Sequence, residues 1–98
     1  MRNVYLICYD ISHDKRRTKV FNCLKGFGFA VQFSVFHCAL TDSELLRLRT
    51  EIWNIVKLDE DRILLADLGP EDGRGKSSLE NWGVPLEEIS APQKPYII

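Results

Sequence analysis

Residues 6–28 read LICYDISHDKRRTKVFNCLKGFG, and this stretch decides how the fold begins. Its apolar start predicts a first strand over residues 2–11, with apolar side chains on both faces, as is typical of a strand that is covered on both sides. A helix is predicted over residues 13–25, because Ser12 is a possible N-cap and Gly26 is a good terminator. The chain therefore starts with a strand and a helix.

Residues 29–40 read FAVQFSVFHCAL, and their side chains alternate with a period of two. This pattern predicts one long strand. The face predicted to join the core carries Phe29, Val31, Phe33 and Val35. The opposite face, which is mixed and suits an interface or a site, carries Ala30, Gln32, Ser34, Phe36 and Cys38.

The sequence TDSE at residues 41–44 is a capping box, and it opens a second helix predicted over about 42–57. Trp53 in that helix is interpreted as a core or interface residue. A third strand is predicted over residues 61–68. The remaining segments are predicted as a flexible loop, a weaker strand and an edge strand, over residues 69–78, 79–83 and 94–98.

The order of elements is β-α-β-β or β-α-β, followed by α-β-β. It predicts an α+β fold, a ferredoxin-like βαββαβ sandwich with an extra C-terminal edge strand. The length of the chain predicts a single domain over residues 1–98, with a core over about 1–83. Two helices cover only one face of a four-stranded sheet. The apolar side chains on the other face then need a partner, which predicts a homodimer.

Composition excludes several classes of protein. The net charge of −1 is unlike that of a strongly basic nucleic-acid-binding protein, and three cysteines without a CxxC pair argue against a disulfide framework or a zinc site. No run of about 18 apolar residues occurs, so no membrane-spanning helix is expected. The N-terminal residues do not resemble a signal peptide, and a cytoplasmic protein is expected.

Charge is nevertheless distributed unevenly along the chain. Residues 13–25 contain five basic side chains, Lys15, Arg16, Arg17, Lys19 and Lys25. Residues 59–72 contain six carboxylates and a single cation, Arg62. A local basic patch attracts phosphates even when the net charge is near zero. The alternative interpretation of the basic cluster is a solvated helix face.

Asp10 is a carboxylate at the end of a predicted buried strand, and it has two interpretations. It either caps the turn or pairs with an arginine, or it is a metal ligand. Mg²⁺ prefers oxygen ligands, keeps several waters and often uses one or two carboxylates together with a substrate phosphate. One aspartate in each chain is a poor site, whereas two aspartates brought together by a dimer axis are a plausible one.

The chain resembles the CRISPR-associated Cas2 family over about residues 1–68, and more loosely beyond them. The resemblance rests on the motifs YDI and VQFSVF and on their separation. The residues that carry it are Tyr9, Asp10, Ile11, Arg17, Lys19, Gly28, and residues 31–36. Ala30 departs from the family pattern, in which an arginine often precedes the Val-Gln pair.

The resemblance implies a ferredoxin-like homodimer whose C-terminal strand packs on the partner. It implies a small Mg²⁺-dependent endonuclease acting on RNA or DNA, which works with the Cas1 integrase during spacer capture. Asp10 matches the catalytic, metal-binding aspartate of the family. Tyr9, Arg16, Arg17, Lys19 and Phe36 are the expected nucleic-acid-binding residues.

Three functions remain open from the sequence. The first is a metal-dependent nuclease built on Asp10. The second is a non-catalytic adaptor in which the same dimer bridges integrase subunits and DNA. The third is a general RNA-binding module, which the near-neutral charge makes less attractive. The sequence does not distinguish between RNA and DNA as the substrate.

Overall fold

The computed structural model describes residues 1–84 of the chain, and these residues form an α+β fold. The elements in chain order are β1 (Asn3–Asp10), α1 (Asp14–Lys25), β2 (Phe29–Gln32), β3 (Val35–Leu40), α2 (Asp42–Trp53), β4 (Arg62–Pro70) and the short α3 (Arg74–Ser77). The four strands form one antiparallel sheet in the order β2-β3-β1-β4. The predicted βαββαβ order is therefore confirmed.

The core lies between one face of the sheet and the helices α1 and α2. Alternate residues of β1 point to this face, and Tyr5, Ile7 and Tyr9 are all buried there. The helices and β3 complete the core with Val20, Leu24, Phe36, Cys38, Leu40, Leu48 and Ile52. Because side chains alternate along a strand, the intervening residues of β1 point to the face that α1 and α2 leave uncovered.

The prediction of one long strand over residues 29–40 is wrong. The segment is a hairpin of β2 and β3, and Ser34 at its turn has a left-handed φ of 63°. Ala30 of β2 lies opposite Phe36 of β3, so these two residues of the predicted mixed face still share one face of the hairpin. That face packs on the core, where Phe36 and Cys38 are fully buried, so the prediction that the opposite face joins the core is wrong.

The helix boundaries are close to the predicted ones, with two corrections. The N-cap of α1 is His13, not Ser12, because the His13 side chain accepts a hydrogen bond from the backbone N–H of Arg16. The capping box of α2 is confirmed. Helix α2 ends at Trp53, earlier than predicted, and Trp53 is 56% exposed rather than part of the core.

The segment after β4 also differs from its prediction. Part of the expected loop is the short helix α3, and Gly75 packs so closely on β4 that an added Cβ would lie 2.5 Å from the carbonyl oxygen of Gly69. Residues 79–83 form no strand. The predicted edge strand at 94–98 lies outside the described residues. No helix within residues 1–84 is long and apolar enough to cross a membrane.

Candidate functional site

Asp10 ends β1 at the edge of the folded core, and its side chain is exposed. In the antiparallel pairing of β1 with β4, Asp10 lies directly opposite Arg62, the first residue of β4. Residues that oppose each other in such a pair point to the same face, with Cβ atoms about 5 Å apart. Neither side chain makes a hydrogen bond or an ion pair with another residue in the described part of the chain. Both groups are free to bind a ligand.

An open cleft of about 420 Å³ contains these two residues. Its walls are Asp10 and Ser12 on one side and residues 58–62, from the loop between α2 and β4, on the other. The lining includes four carboxylates, those of Asp10, Asp59, Glu60 and Asp61, and one basic side chain, that of Arg62. The cleft therefore favours a bound cation.

The Arg16 side chain does not contribute to this cleft as a free cation. Its Nε donates to Asp61 Oδ2 at 2.8 Å, and its terminal nitrogen donates to Asp61 Oδ1 at 3.2 Å and to Glu60 Oε1 at 2.9 Å. The side chains of Arg16 and Asp61 are 12% and 1% exposed. The hydrogen bonds from Arg16 hold the pKa of Asp61 below its usual value, although burial opposes them. The pair fixes the 57–61 loop on α1.

Arg17 organises the turn that follows Asp10. One terminal nitrogen donates to the backbone carbonyls of Ile11 and Ser12 at 3.1 and 3.2 Å. The other donates to Asp14 Oδ1 at 2.6 Å. The side chain is 21% exposed, and its Nε is buried without a partner among residues 1–84. Arg17 thus shapes the connection between β1 and α1.

The two aromatic residues predicted to bind nucleic acid lie in the core. Phe36 is fully buried and packs edge-to-face on Phe21, with ring centroids 5.4 Å apart. Tyr9 is 5% exposed and lies beside Phe36, with a centroid distance of 6.5 Å. Burial raises the pKa of Tyr9, while Ser34 and Arg17 act in the opposite direction. The prediction of Phe36 on a mixed face suited to a site was wrong, because the face that carries Phe36 and Cys38 packs on the core.

Lys19 is the one predicted nucleic-acid-binding residue that is exposed and has no partner within residues 1–84. It belongs to α1 and does not line the cleft. Of the six predicted site residues, the structure thus leaves Asp10 and Lys19 accessible and unpaired. Arg16 and Arg17 are instead occupied by hydrogen bonds to other residues of the chain.

Metal-ligating side chains do not form a cluster within the described residues. No group of three or more His, Cys, Asp and Glu side chains among residues 1–84 is arranged to hold an ion. Burial raises the pKa of Cys38 to about 12 and that of Cys23 to about 11, so these thiols stay protonated and are poor ligands. Asp10 is an accessible oxygen donor of the kind that Mg²⁺ prefers. One chain therefore offers one well-placed carboxylate.

Sequence reasoning missed Arg62 and the 57–61 loop as parts of the site. A signal was available for Arg62. It is the single cation among six carboxylates in residues 59–72, and it starts β4. In a ferredoxin-like sheet β1 and β4 are antiparallel neighbours, so the residue that starts β4 lies beside the residue that ends β1.

Comparison with known proteins identifies the family. Residues 3–74 match the family model described as CRISPR associated protein Cas2. A CRISPR-associated endoribonuclease Cas2 of Thermodesulfovibrio yellowstonii is 46% identical over 65 residues, which are 64% of this chain and 71% of the relative.

Two solved structures extend the comparison. The crystal structure of a hypothetical protein from Thermus thermophilus superposes with a TM-score of 0.74 at 32% identity, covering 86% of this chain and 94% of that one. A chain in a partial complex of Cas6-RT-Cas1 with Cas2 superposes with a TM-score of 0.63 at 34% identity, covering 70% and 81%. The chain belongs to the CRISPR-associated Cas2 family.

Proposed function

We propose that the protein is a metal-dependent endonuclease that hydrolyses phosphodiester bonds in RNA, DNA or both, with Mg²⁺ as the ion and Asp10 as its ligand. The observation that carries the proposal is the exposed, unpaired carboxylate of Asp10 at the end of β1. It is supported by the relative from Thermodesulfovibrio yellowstonii, which is named an endoribonuclease.

A homodimer supplies the second half of the site. The uncovered face of the sheet carries the apolar side chains of Leu6, Cys8, Val35 and Leu64, and Leu64 is 61% exposed. Burying such surface is favourable by about 25 cal/mol for each Å². A second copy that covers this face brings a second Asp10 toward the first.

The chemistry divides between the ion and the chain. When bound, Mg²⁺ neutralises charge on the phosphodiester and makes water a better nucleophile. Asp10 holds the ion, and Arg17 fixes the turn behind it through the carbonyls of Ile11 and Ser12. Lys19 attracts the nucleic-acid backbone from the exposed surface of α1.

The protein takes part in spacer acquisition with the Cas1 integrase, in this proposal. Its support is the structural likeness to a chain in a partial complex that contains Cas1 and Cas2. A second candidate function follows from the same likeness. In this second function the dimer is a non-catalytic adaptor that bridges integrase subunits and DNA. Such an adaptor needs no metal site, and no group of three metal ligands is arranged to hold an ion within residues 1–84 of one chain.

A cleavage assay distinguishes these functions. Labelled single-stranded RNA and duplex DNA are incubated with wild-type protein and with Asp10→Asn, in Mg²⁺ or in EDTA. The nuclease proposal predicts cleavage by the wild type in Mg²⁺ alone, and a loss of at least about 100-fold in Asp10→Asn. The cleaved polymer identifies the substrate class.

Asp72→Asn is the matched control, because it removes an exposed carboxylate that does not line the cleft. It should cleave like the wild type. Equal cleavage by wild type and Asp10→Asn would remove Asp10 as the metal ligand. An inactive wild-type dimer that still assembles with Cas1 would establish the adaptor.

A further inference from the structure

We propose that Arg62 binds the phosphate group of the nucleic acid beside Asp10 and is the principal phosphate contact of the cleft. This inference rests on the proposed function, because it assigns the anion-binding side chain of the same site. It moves the phosphate contact from the arginines of α1 to the first residue of β4.

The first argument is the charge of the cleft. Asp10, Asp59 and Glu60 line it together with Asp61, and these carboxylates repel a phosphodiester. The charge of Asp61 is compensated by Arg16, which makes two hydrogen bonds to it. Among the described residues that line the cleft, Arg62 carries the only basic side chain. A phosphate that enters the cleft therefore finds its positively charged partner, among these residues, in the guanidinium of Arg62.

The second argument is that Arg62 is free. Its side chain is exposed and makes no hydrogen bond or ion pair with any residue from 1 to 84. Arg16 is bound to two carboxylates, and Arg17 is bound to two carbonyls and to Asp14. A guanidinium that must first leave such partners is a poor phosphate ligand. Arg62 has its five N–H donors available.

The third argument is position. Arg62 and Asp10 are direct partners in the β1–β4 register, so their Cβ atoms lie about 5 Å apart on one face. A phosphate bound to the guanidinium of Arg62 therefore lies within reach of an ion held by Asp10. Arginine also fits phosphate through two parallel hydrogen bonds. In the sheet that residues 1–84 form, β4 is an edge strand, and Arg62 at its start is exposed.

The test compares Arg62→Gln with Arg49→Gln. Arg49 is also an exposed arginine without an ion pair within residues 1–84, but it does not line the cleft. Both variants lose one positive charge. For Arg62→Gln we expect kcat/KM for cleavage of single-stranded RNA to fall about 10- to 100-fold, the effect of losing one charge-assisted contact. Arg49→Gln should stay within about twofold of the wild type.

Binding measurements separate this inference from the proposed function. In the Asp10→Asn background, affinity for single-stranded RNA is measured against salt concentration. Arg62→Gln should lower the slope of log K against log salt by about 0.7, the effect of one lost phosphate contact on a single strand, and Arg49→Gln should not. The salt slope can be measured even if the wild type does not cleave RNA. A wild type that fails to cleave would overturn the nuclease proposal but not the assignment of Arg62.

Arg62→Lys completes the set, because lysine keeps the charge and loses the paired hydrogen bonds. It should retain the salt slope and recover part of kcat/KM. Arg62→Gln that cleaves and binds like Arg49→Gln, at an unchanged melting temperature, would overturn the assignment. A loss of activity that tracks a lowered melting temperature would also overturn it, because Arg62 would then be a structural residue.

Discussion

Two aspartates line the same cleft and have opposite environments. Asp10 is exposed and has no hydrogen-bond or ion-pair partner within residues 1–84. The Asp61 side chain is 1% exposed and accepts hydrogen bonds from Arg16 and from the backbone N–H of Lys57. The comparison teaches that the residue type does not decide the role. The unpaired carboxylate is available for chemistry, and the paired one holds a loop in place.

The same contrast separates the arginines. Arg16 is occupied by Asp61 and Glu60, whereas Arg62 is free beside Asp10. The basic cluster after β1 is thus partly a structural device that attaches the 57–61 loop to α1. The positive charge that faces the cleft comes instead from Arg62 at the start of β4. This residue lies more than 45 residues after the start of the basic cluster.

Phe36→Ala should give the largest loss of stability. It tests whether this predicted nucleic-acid-binding residue is instead a structural one. Phe36 is fully buried between Tyr9 and Phe21, and removing such a side chain costs about 3–5 kcal/mol of unfolding free energy. Urea denaturation measures the loss. Phe33, which is 61% exposed, is the control, and Phe33→Ala should cost under about 1 kcal/mol. Similar losses in the two variants would show that Phe36 is not in the core.

Asp61→Asn should have the next largest effect. It weakens the hydrogen bonds from Arg16 and Lys57 and leaves Glu60 as the remaining charge partner of the Arg16 guanidinium, which costs about 2 kcal/mol of unfolding free energy. Thermal unfolding followed by circular dichroism measures the change. The matched control is Asp59→Asn in the same loop, which should stay within about 0.5 kcal/mol of the wild type. Equal stabilities would mean that the pair is not structural.

A smaller effect is expected from pH. The pKa of Asp61 is lower in the folded chain than its ordinary value of 3.8, mainly through hydrogen bonds from Arg16, so the unfolded chain binds this proton more readily. The resulting stability is present above pH 3.8 and is lost as the pH falls through the folded pKa.

The check is the stability of wild type and Asp61→Asn between pH 6 and pH 3. The difference between them should shrink as the medium becomes more acidic than about pH 4. Hydrogen bonds from the Thr41 backbone and from Arg2 also lower the pKa of Glu44. Because Glu44 is present in both proteins, its effect on stability cancels in the difference. A constant difference would contradict the assignment.

Much of the fold could be predicted from local signals. The apolar run of β1, the capping box at residues 41–44 and the terminator Gly26 each mark an element or its end. The break inside residues 29–40 could not be predicted, because the left-handed residue at the turn is Ser34 rather than the Gly or Asn that usually marks such a turn.

The site could be predicted only in part. Asp10 was identifiable, since it ends an apolar run. The Arg16–Asp61 pair was not, because its members are 45 residues apart and the loop between α2 and β4 has no local signal that places it on α1. Without that pairing, Arg16 and Arg17 look like free cations. Long-range partners decide which charges are available, and a single sequence does not show them.

The most direct test of this contrast measures stability and cleavage together for Asp10→Asn and Asp61→Asn. Melting temperature and kcat/KM on single-stranded RNA in Mg²⁺ are determined for both variants and the wild type. The account predicts that Asp10→Asn loses cleavage at least about 100-fold while its stability stays within about 0.5 kcal/mol of the wild type. Asp61→Asn is expected to lose stability. Full cleavage by Asp10→Asn, or loss of its cleavage only in step with its stability, would contradict the account.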